Sequence, residues 1–116
     1  MQQLDVPIIQ RTYDLYKTLH GYQKSIPKLE RYTIWQKCES AALSVLESLL
    51  QVGYVSPDRR AELLTRVSAH VDMLRVFLRL AHDTKTIDQK KYIALQAITD
   101  EIGRMLGGWL KSFRQK

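Results

Sequence analysis

The sequence has little of several residue types that define common protein classes. Its 116 residues include one cysteine, three prolines and five glycines. The single thiol, Cys38, cannot form an internal disulfide, which is typical of a protein in a reducing cytoplasm. The sequence contains no run of about 18 apolar residues, so no transmembrane segment is predicted. Residues 1–5 lack the basic and apolar order of a signal peptide, and we therefore expect a cytoplasmic protein.

Residue patterns typical of catalysis or of metal binding are also missing from the sequence. None of the three histidines, His20, His70 and His82, follows a carboxylate by three residues, as a di-iron bundle site requires. There is no phosphate loop with Gly-Lys-Ser/Thr, and Cys38 lies on an apolar helical face, as an inert core thiol does. Because no base, nucleophile and orienting acid come together, we predict no enzymatic activity, no metal and no cofactor.

Positive charge is present and is concentrated near the C-terminus. The chain has 18 Lys and Arg residues against 12 Asp and Glu residues, a formal net charge of +6. Four of these six excess charges follow Glu101, where Arg104, Lys111, Arg114 and Lys116 occur without any acid. A helix that is apolar on one side and basic on the other indicates an anionic partner, so we expect nucleic acid rather than a membrane. The alternative is a soluble protein that is merely basic.

Three short breaks divide the sequence into four segments with apolar residues at helical spacing. Pro7 lies where a first helical turn tolerates proline, Ser56 is an N-cap candidate, and Thr86 and Gln89 have the spacing of a capping box. The predicted helices cover about residues 7–25, 27–51, 57–83 and 87–113. We therefore predict an all-α fold, an antiparallel up-down-up-down four-helix bundle that forms a single domain over residues 1–116.

Each segment has an apolar face that is predicted to point into the core. These faces comprise Ile9, Tyr13, Tyr16 and Leu19; Trp35, Cys38, Ala42, Val45, Leu46 and Leu49; Leu64, Val67, Val71, Leu74, Leu78 and Ala81; and Leu95, Ile98, Ile102, Met105, Leu106, Trp109 and Phe113. The third segment has a second apolar stripe, which we call the α4 stripe, formed by Ala69, Met73, Val76, Phe77 and Leu80. A bundle helix needs one such stripe, so the second one predicts an interface in a homo-oligomer.

Basic residues on the helices are candidates for binding nucleic acid. Arg75 and Arg79 lie one helical turn apart and share a face, although the nearby Asp72 and Asp83 make ordinary surface ion pairing the alternative. Around the Pro27 turn, Lys28 and Arg31 form a second basic cluster with Lys24, diluted only by Glu30. We predict that Arg75, Arg79, Lys28 and Arg31 contact the phosphate backbone, and such contacts would tolerate any base sequence and weaken with salt.

The C-terminal segment supplies the remaining candidates. Arg104 and Lys111 are seven residues apart and therefore share a face, with Gly107 between them and Arg114 one turn further on. The three glycines of this segment cost a helix about 1 kcal/mol each relative to alanine. Either tight packing or the close approach of a phosphate would compensate for this cost. The aromatic residue Trp109 is in register with the core face, so core packing is favoured over base stacking.

Two stretches of the sequence resemble a known family. The first is Ile26-Pro27-Lys28-Leu29-Glu30-Arg31-Tyr32-Thr33, which leads into Gln36-Lys37-Cys38, and the second is Glu101-Ile102-Gly103-Arg104-Met105-Leu106-Gly107-Gly108-Trp109. Together they resemble the accessory variability determinant proteins of diversity-generating retroelements. These proteins belong to a wider group of four-helix bundles that includes proteins encoded in ribosomal-RNA intervening sequences.

The resemblance implies a function that the residues alone do not reveal. Members of the family are basic, pentameric bundles without known catalytic activity, which bind RNA or DNA and associate with the reverse transcriptase of the retroelement. They support mutagenic cDNA synthesis and retrohoming. Lys28, Arg31 and Arg104 lie in the matching motifs, whereas Arg75, Arg79, Lys111 and Arg114 are candidates from spacing alone. The alternative is a structural bundle of the intervening-sequence type, with a protein partner and no role in a retroelement.

Overall fold

The computed structural model describes residues 6–114, with the side chains described as far as Ser112. This part of the chain is all-α, as predicted, and contains no strand. It consists of four long helices and one helix of a single turn. The helices are α1 (Pro7–Tyr22), α2 (Lys28–Arg31), α3 (Ile34–Gln51), α4 (Pro57–Asp83) and α5 (Gln89–Arg114).

Three helix boundaries follow from the backbone chemistry of their neighbours. Val6 is the N-cap of α1, and Pro7 occupies the first turn, where its missing N–H costs no hydrogen bond. Helix α1 ends at Tyr22 and continues as a single 3-10 turn, Gln23–Ser25, close to the predicted end. Helix α4 begins after Ser56 and ends at Asp83, as predicted.

The predicted helix over residues 27–51 is wrong as one continuous element, because the chain breaks between Arg31 and Ile34. Thr33 has φ −119° and ψ −102°, outside the helical region. Its hydroxyl donates to the carbonyl of Leu29 at 3.3 Å, and its backbone N–H donates to the carbonyl of Glu30, a step of three residues instead of the four of an α-helix. The β-branched neighbours Thr33 and Ile34 also have low helix propensity. The single-turn helix α2 is therefore separated from α3.

The predicted capping box at Thr86 is wrong. Helix α5 begins at Gln89, and Asp88 caps it by accepting the backbone N–H of Lys91 at 2.9 Å. Thr86 is buried instead and its hydroxyl lies 2.9 Å from that of Thr84. The chain reverses between α4 and α5 at Lys85, whose φ of 63° is left-handed.

The helices enclose one hydrophobic core. Helix α1 packs against α3 and α5, and α4 packs against the same two helices. The predicted inward face of α4 is confirmed at every position, from Leu64 to Ala81. In α1 the predicted position of Tyr13 is wrong, because this side chain is 38% exposed and the buried stripe runs through Thr12 and Leu15 instead. Thr12 is compatible with burial because its hydroxyl donates to the carbonyl of Ile8 at 2.8 Å.

Two side-chain contacts join neighbouring helices close to their ends. The indole N–H of Trp35 in α3 donates to the carbonyl of Leu19 at the end of α1, at 3.3 Å. The rings of His82 and Tyr92 stack with centroids 4.5 Å apart where α4 meets α5.

Within residues 6–114, no helix has both the length and the apolar composition that crossing a membrane would require.

Candidate functional site

Helix α5 carries two of the residues predicted to bind nucleic acid, and neither has a neutralising partner among the described residues. The side chains of Arg104 and Lys111 are exposed, and neither forms an ion pair or a hydrogen bond with the described part of the chain. A Cβ atom added at Gly107, between them, would meet nothing within 4 Å among the described atoms. Arg114 lies at the end of α5, and its side chain is outside the described residues. We call Arg104, Gly107 and Lys111 the α5 cation face.

Arg75 on α4 is held by two carboxylates. Its guanidinium Nη1 lies 3.0 Å from Asp72 of its own helix, and its Nε lies 3.2 Å from Asp100 of α5. The guanidinium also covers Gly103, where an added Cβ would collide with Nη2. Glycine therefore allows this arginine to pack closely on α5, which is the tight packing expected for one of the three C-terminal glycines. Asp100 was not predicted as a partner, because it is 25 residues away in the sequence.

Arg79 is also accompanied by a carboxylate, although less closely. Its Nε lies 3.9 Å from Asp83, one turn further along α4, and both side chains are well exposed. Exposed pairs of this kind contribute little to stability and are screened by salt. Arg79 is therefore a weaker local source of positive potential than a cation without a carboxylate neighbour.

The cluster around Pro27 divides into a structural arginine and an exposed lysine. Arg31 donates from Nε to the carbonyl of Ile26 at 2.9 Å and from Nη2 to the carbonyl of Lys24 at 3.1 Å. It thus closes the turn between α1 and α2. Lys28 is exposed on α2 and pairs with no carboxylate in the described residues. Of the two residues, Lys28 has the freer charge.

The α4 stripe lies largely on the surface of this single chain. Met73 is 47% exposed, Val76 is 64% exposed and Leu80 is 46% exposed. Ala69 is exposed as well, whereas Phe77 is half-buried against the core. The fold therefore buries one apolar face of α4 and leaves most of the other in contact with solvent.

The titratable groups near the core form no catalytic arrangement in the part of the chain that is described. Burial, followed by the charge of Glu39, raises the pKa of the Cys38 thiol to about 12, so the thiol is not a nucleophile at neutral pH. Glu39 Oε1 accepts the Tyr16 hydroxyl at 3.3 Å and lies 3.7 Å from His20 Nδ1. Burial first, and Glu39 second, raise the pKa of Tyr16. In residues 6–114, no three His, Cys, Asp or Glu side chains are placed to hold a metal ion.

Sequence reasoning missed two exposed side chains beside the Pro27 cluster. Leu29 is 84% exposed and Tyr32 is 70% exposed. The helical periodicity gave no sign of this, because it predicted one unbroken helix through these residues. The low helix propensity of Thr33 and Ile34 was the only signal for the break that exposes them.

These features define a basic all-α bundle whose described surface offers cations and apolar side chains to partners. A family model described as bAvd-like matches residues 6–113. The chain belongs to the bAvd-like family, and the resemblance to accessory variability determinant proteins is thereby confirmed. This is a family of accessory, non-catalytic proteins. No curated protein matches the chain.

Proposed function

We propose that the protein is a non-catalytic accessory factor that binds RNA or DNA through the phosphate backbone. The observation that carries this proposal is the α5 cation face, where Arg104 and Lys111 are exposed on one side of a helix without carboxylate partners among the described residues. A polyanion gains most from cations that are not already neutralised. Binding of this kind tolerates any base sequence and weakens steeply as salt rises.

Family membership supports the cellular role in the proposal. Accessory variability determinant proteins act with a retroelement reverse transcriptase in mutagenic cDNA synthesis and retrohoming, and we propose the same partner and process for this chain. A neighbouring reverse transcriptase gene with a pair of near-identical repeats is the expected genomic context. Co-expression of the tagged protein with that reverse transcriptase is expected to yield a complex that survives purification. A chain without this context would favour the alternative, a structural bundle with another protein partner.

We also propose an antiparallel up-down-up-down order for the helices and assembly into a homo-oligomer, which family resemblance makes a pentamer. The contacts of Trp35 with Leu19 and of His82 with Tyr92 support this order, since each joins the end of one helix to the start of another. Arg11 in the first half of α1 donates to Glu101 at the middle of α5, at 2.6 Å, so these two helices lie side by side. The exposed α4 stripe supports the self-interface.

Binding to labelled oligonucleotides tests the nucleic-acid proposal. The double variant Arg104→Gln with Lys111→Gln is expected to lose about tenfold or more in affinity at physiological salt, and its salt dependence should become shallower. The matched control is Arg66→Gln with Lys91→Gln, which removes the same charge from one arginine and one lysine that each have a carboxylate partner. The control should bind nearly as the parent does.

Two outcomes would contradict the proposal in different ways. Equal losses in the two double variants would mean that net charge, rather than the α5 cation face, governs binding. A parent protein that fails to bind RNA or DNA at physiological salt would rule out the nucleic-acid role and would favour a purely protein partner.

A further inference from the structure

The break between α2 and α3 creates a surface that the α5 cation face does not include. In an unbroken helix Tyr32 would precede the fully buried Trp35 by three residues and would share its inward face. The break turns Tyr32 outward instead, and its side chain forms no hydrogen bond or ring contact with the described residues. Leu29, three residues earlier, is exposed beside it. An aromatic ring is thus displayed where the helical period would have buried it.

A groove lies next to this ring. It has a volume of about 560 Å³ and is lined by Tyr32, Thr33, Gln36, Lys37 and Ser40. Apart from the tyrosine ring, this lining consists of polar or charged side chains. The groove runs along the first turns of α3, which carry no acid in the first turn and no side-chain cap. The positive end of the α3 dipole therefore adds to the charge of Lys37.

The charges around the groove favour an anionic occupant. The segment from residue 23 to residue 37 has four cations, Lys24, Lys28, Arg31 and Lys37, against the single carboxylate Glu30. The three lysines are exposed and pair with no carboxylate in the part of the chain that is described. A protein partner would suit Leu29 and Tyr32 equally well, but this excess of unneutralised cations suits a polyanion better.

We propose that the Tyr32 groove binds single-stranded RNA or DNA, with the ring of Tyr32 stacking on an unpaired base and Lys28 and Lys37 contacting flanking phosphates. The proposal rests on the proposed function and specifies the strand state of its ligand. A base inside a duplex has both faces occupied by its neighbours and cannot offer one to Tyr32, whereas an unpaired base can. Combining a basic groove with an exposed aromatic ring is how proteins hold single strands without sequence preference.

Fluorescence anisotropy with a mixed-sequence single strand and with the corresponding duplex tests this inference. Tyr32→Ala is expected to weaken single-strand binding by about 5- to 150-fold, as loss of one base stack does. Its duplex affinity and its salt slope should match those of the parent, because no charge is removed. Tyr32→Phe keeps the ring and should bind the single strand as the parent does.

Tyr54 supplies a matched control for the tyrosine itself. It is 81% exposed, in the connection between α3 and α4, and lies outside the groove. Tyr54→Ala is expected to leave single-strand affinity unchanged. A single strand with 2-aminopurine gives a second readout, since its fluorescence should be quenched by the parent and by Tyr32→Phe but much less by Tyr32→Ala.

The results separate this inference from the proposed function. If the parent binds and Tyr32→Ala binds single strands equally well, the stacking role is wrong while the nucleic-acid role stands, and the surface is then better explained by a protein partner. An equal loss in Tyr54→Ala would also overturn the role of Tyr32. If the parent binds neither single strand nor duplex, the proposed function itself fails.

Discussion

Helices α4 and α5 carry similar residues but expose them in different chemical settings. On α4 from Glu62 onward, Arg66, Arg75 and Arg79 each lie within 4 Å of a carboxylate, and a row of apolar side chains remains exposed. On the C-terminal half of α5, Arg104 and Lys111 have no carboxylate partner in the described residues.

The position of a cation in the sequence therefore does not show whether it binds a partner or stabilises the fold. A helix with neutralised charge and exposed apolar side chains suits contact with another protein chain, because little electrostatic repulsion or desolvation opposes burial. A helix with unneutralised cations suits a polyanion. The two helices are therefore expected to respond to mutation in different assays.

The largest expected effect is on assembly through α4. Val76→Glu places a carboxylate in the middle of the proposed self-interface, where burying an unpaired charge is strongly unfavourable. We expect the mass measured by light scattering to fall from a multiple of the chain to the 13.5 kDa of one chain. Tyr13→Glu, at an exposed aromatic residue of α1, controls for adding a carboxylate to the surface. A parent protein that is already monomeric at micromolar concentration would eliminate the interface.

The next prediction compares how much Arg75 and Arg104 contribute to the free energy of unfolding. Arg75→Gln removes a guanidinium from between Asp72 and Asp100 and should lower the free energy of unfolding by about 1 kcal/mol, since these contacts are partly exposed. Arg104→Gln should change it by less than about 0.5 kcal/mol. Urea denaturation measures both values. Equal changes in the free energy of unfolding for the two variants would contradict the distinction between a paired arginine on α4 and an unpaired one on α5.

Replacing Gly103 or Gly107 by alanine should raise the free energy of unfolding, the opposite of the effect of Arg75→Gln. Gly107→Ala should stabilise the isolated fold by about 1 kcal/mol, because alanine favours the helix and the added Cβ meets no described atom. Gly103→Ala should gain less, because the Arg75 guanidinium must move away from Asp100. Urea midpoints at unchanged slope measure the difference. A Gly107→Ala variant that is more stable yet binds nucleic acid normally would exclude close phosphate approach at this position.

The smallest effect concerns the beginning of α5. The backbone N–H of Lys91 holds the pKa of Asp88 below its ordinary value of 3.8, with Lys91 and Lys90 charges adding to this. The stabilisation from this cap is fully present above that ordinary value and is lost as the pH falls through the lowered one. Asp88→Ala should therefore reduce the melting temperature at pH 7, and the difference from the parent should vanish in strong acid. Asp88→Asn keeps a capping oxygen and should melt close to the parent at pH 7.

Much of the fold could be predicted from the sequence because it depends on local periodicity. Residue spacing and backbone sterics account for the core face of α4, for the prolines in the first turns of α1 and α4, and for the long helices. The break at Thr33 and the cap at Asp88 were missed because several weak local preferences compete there. Among the candidate site residues, the exposure of Lys28, Arg104 and Lys111 agrees with their expected place on helix surfaces.

The helical character of this protein, its basic C-terminal region and the two apolar sides of α4 can be read from residue order alone, because each is a property of residues close together in the chain. Which cations are neutralised, and which aromatic ring is exposed, depends on how the helices pack. Arg75 meets Asp100 across 25 residues of sequence, and Tyr32 faces solvent because the helix breaks beside it. Charge pairing and exposure depend on distances between helices, and such distances arise only when the bundle packs.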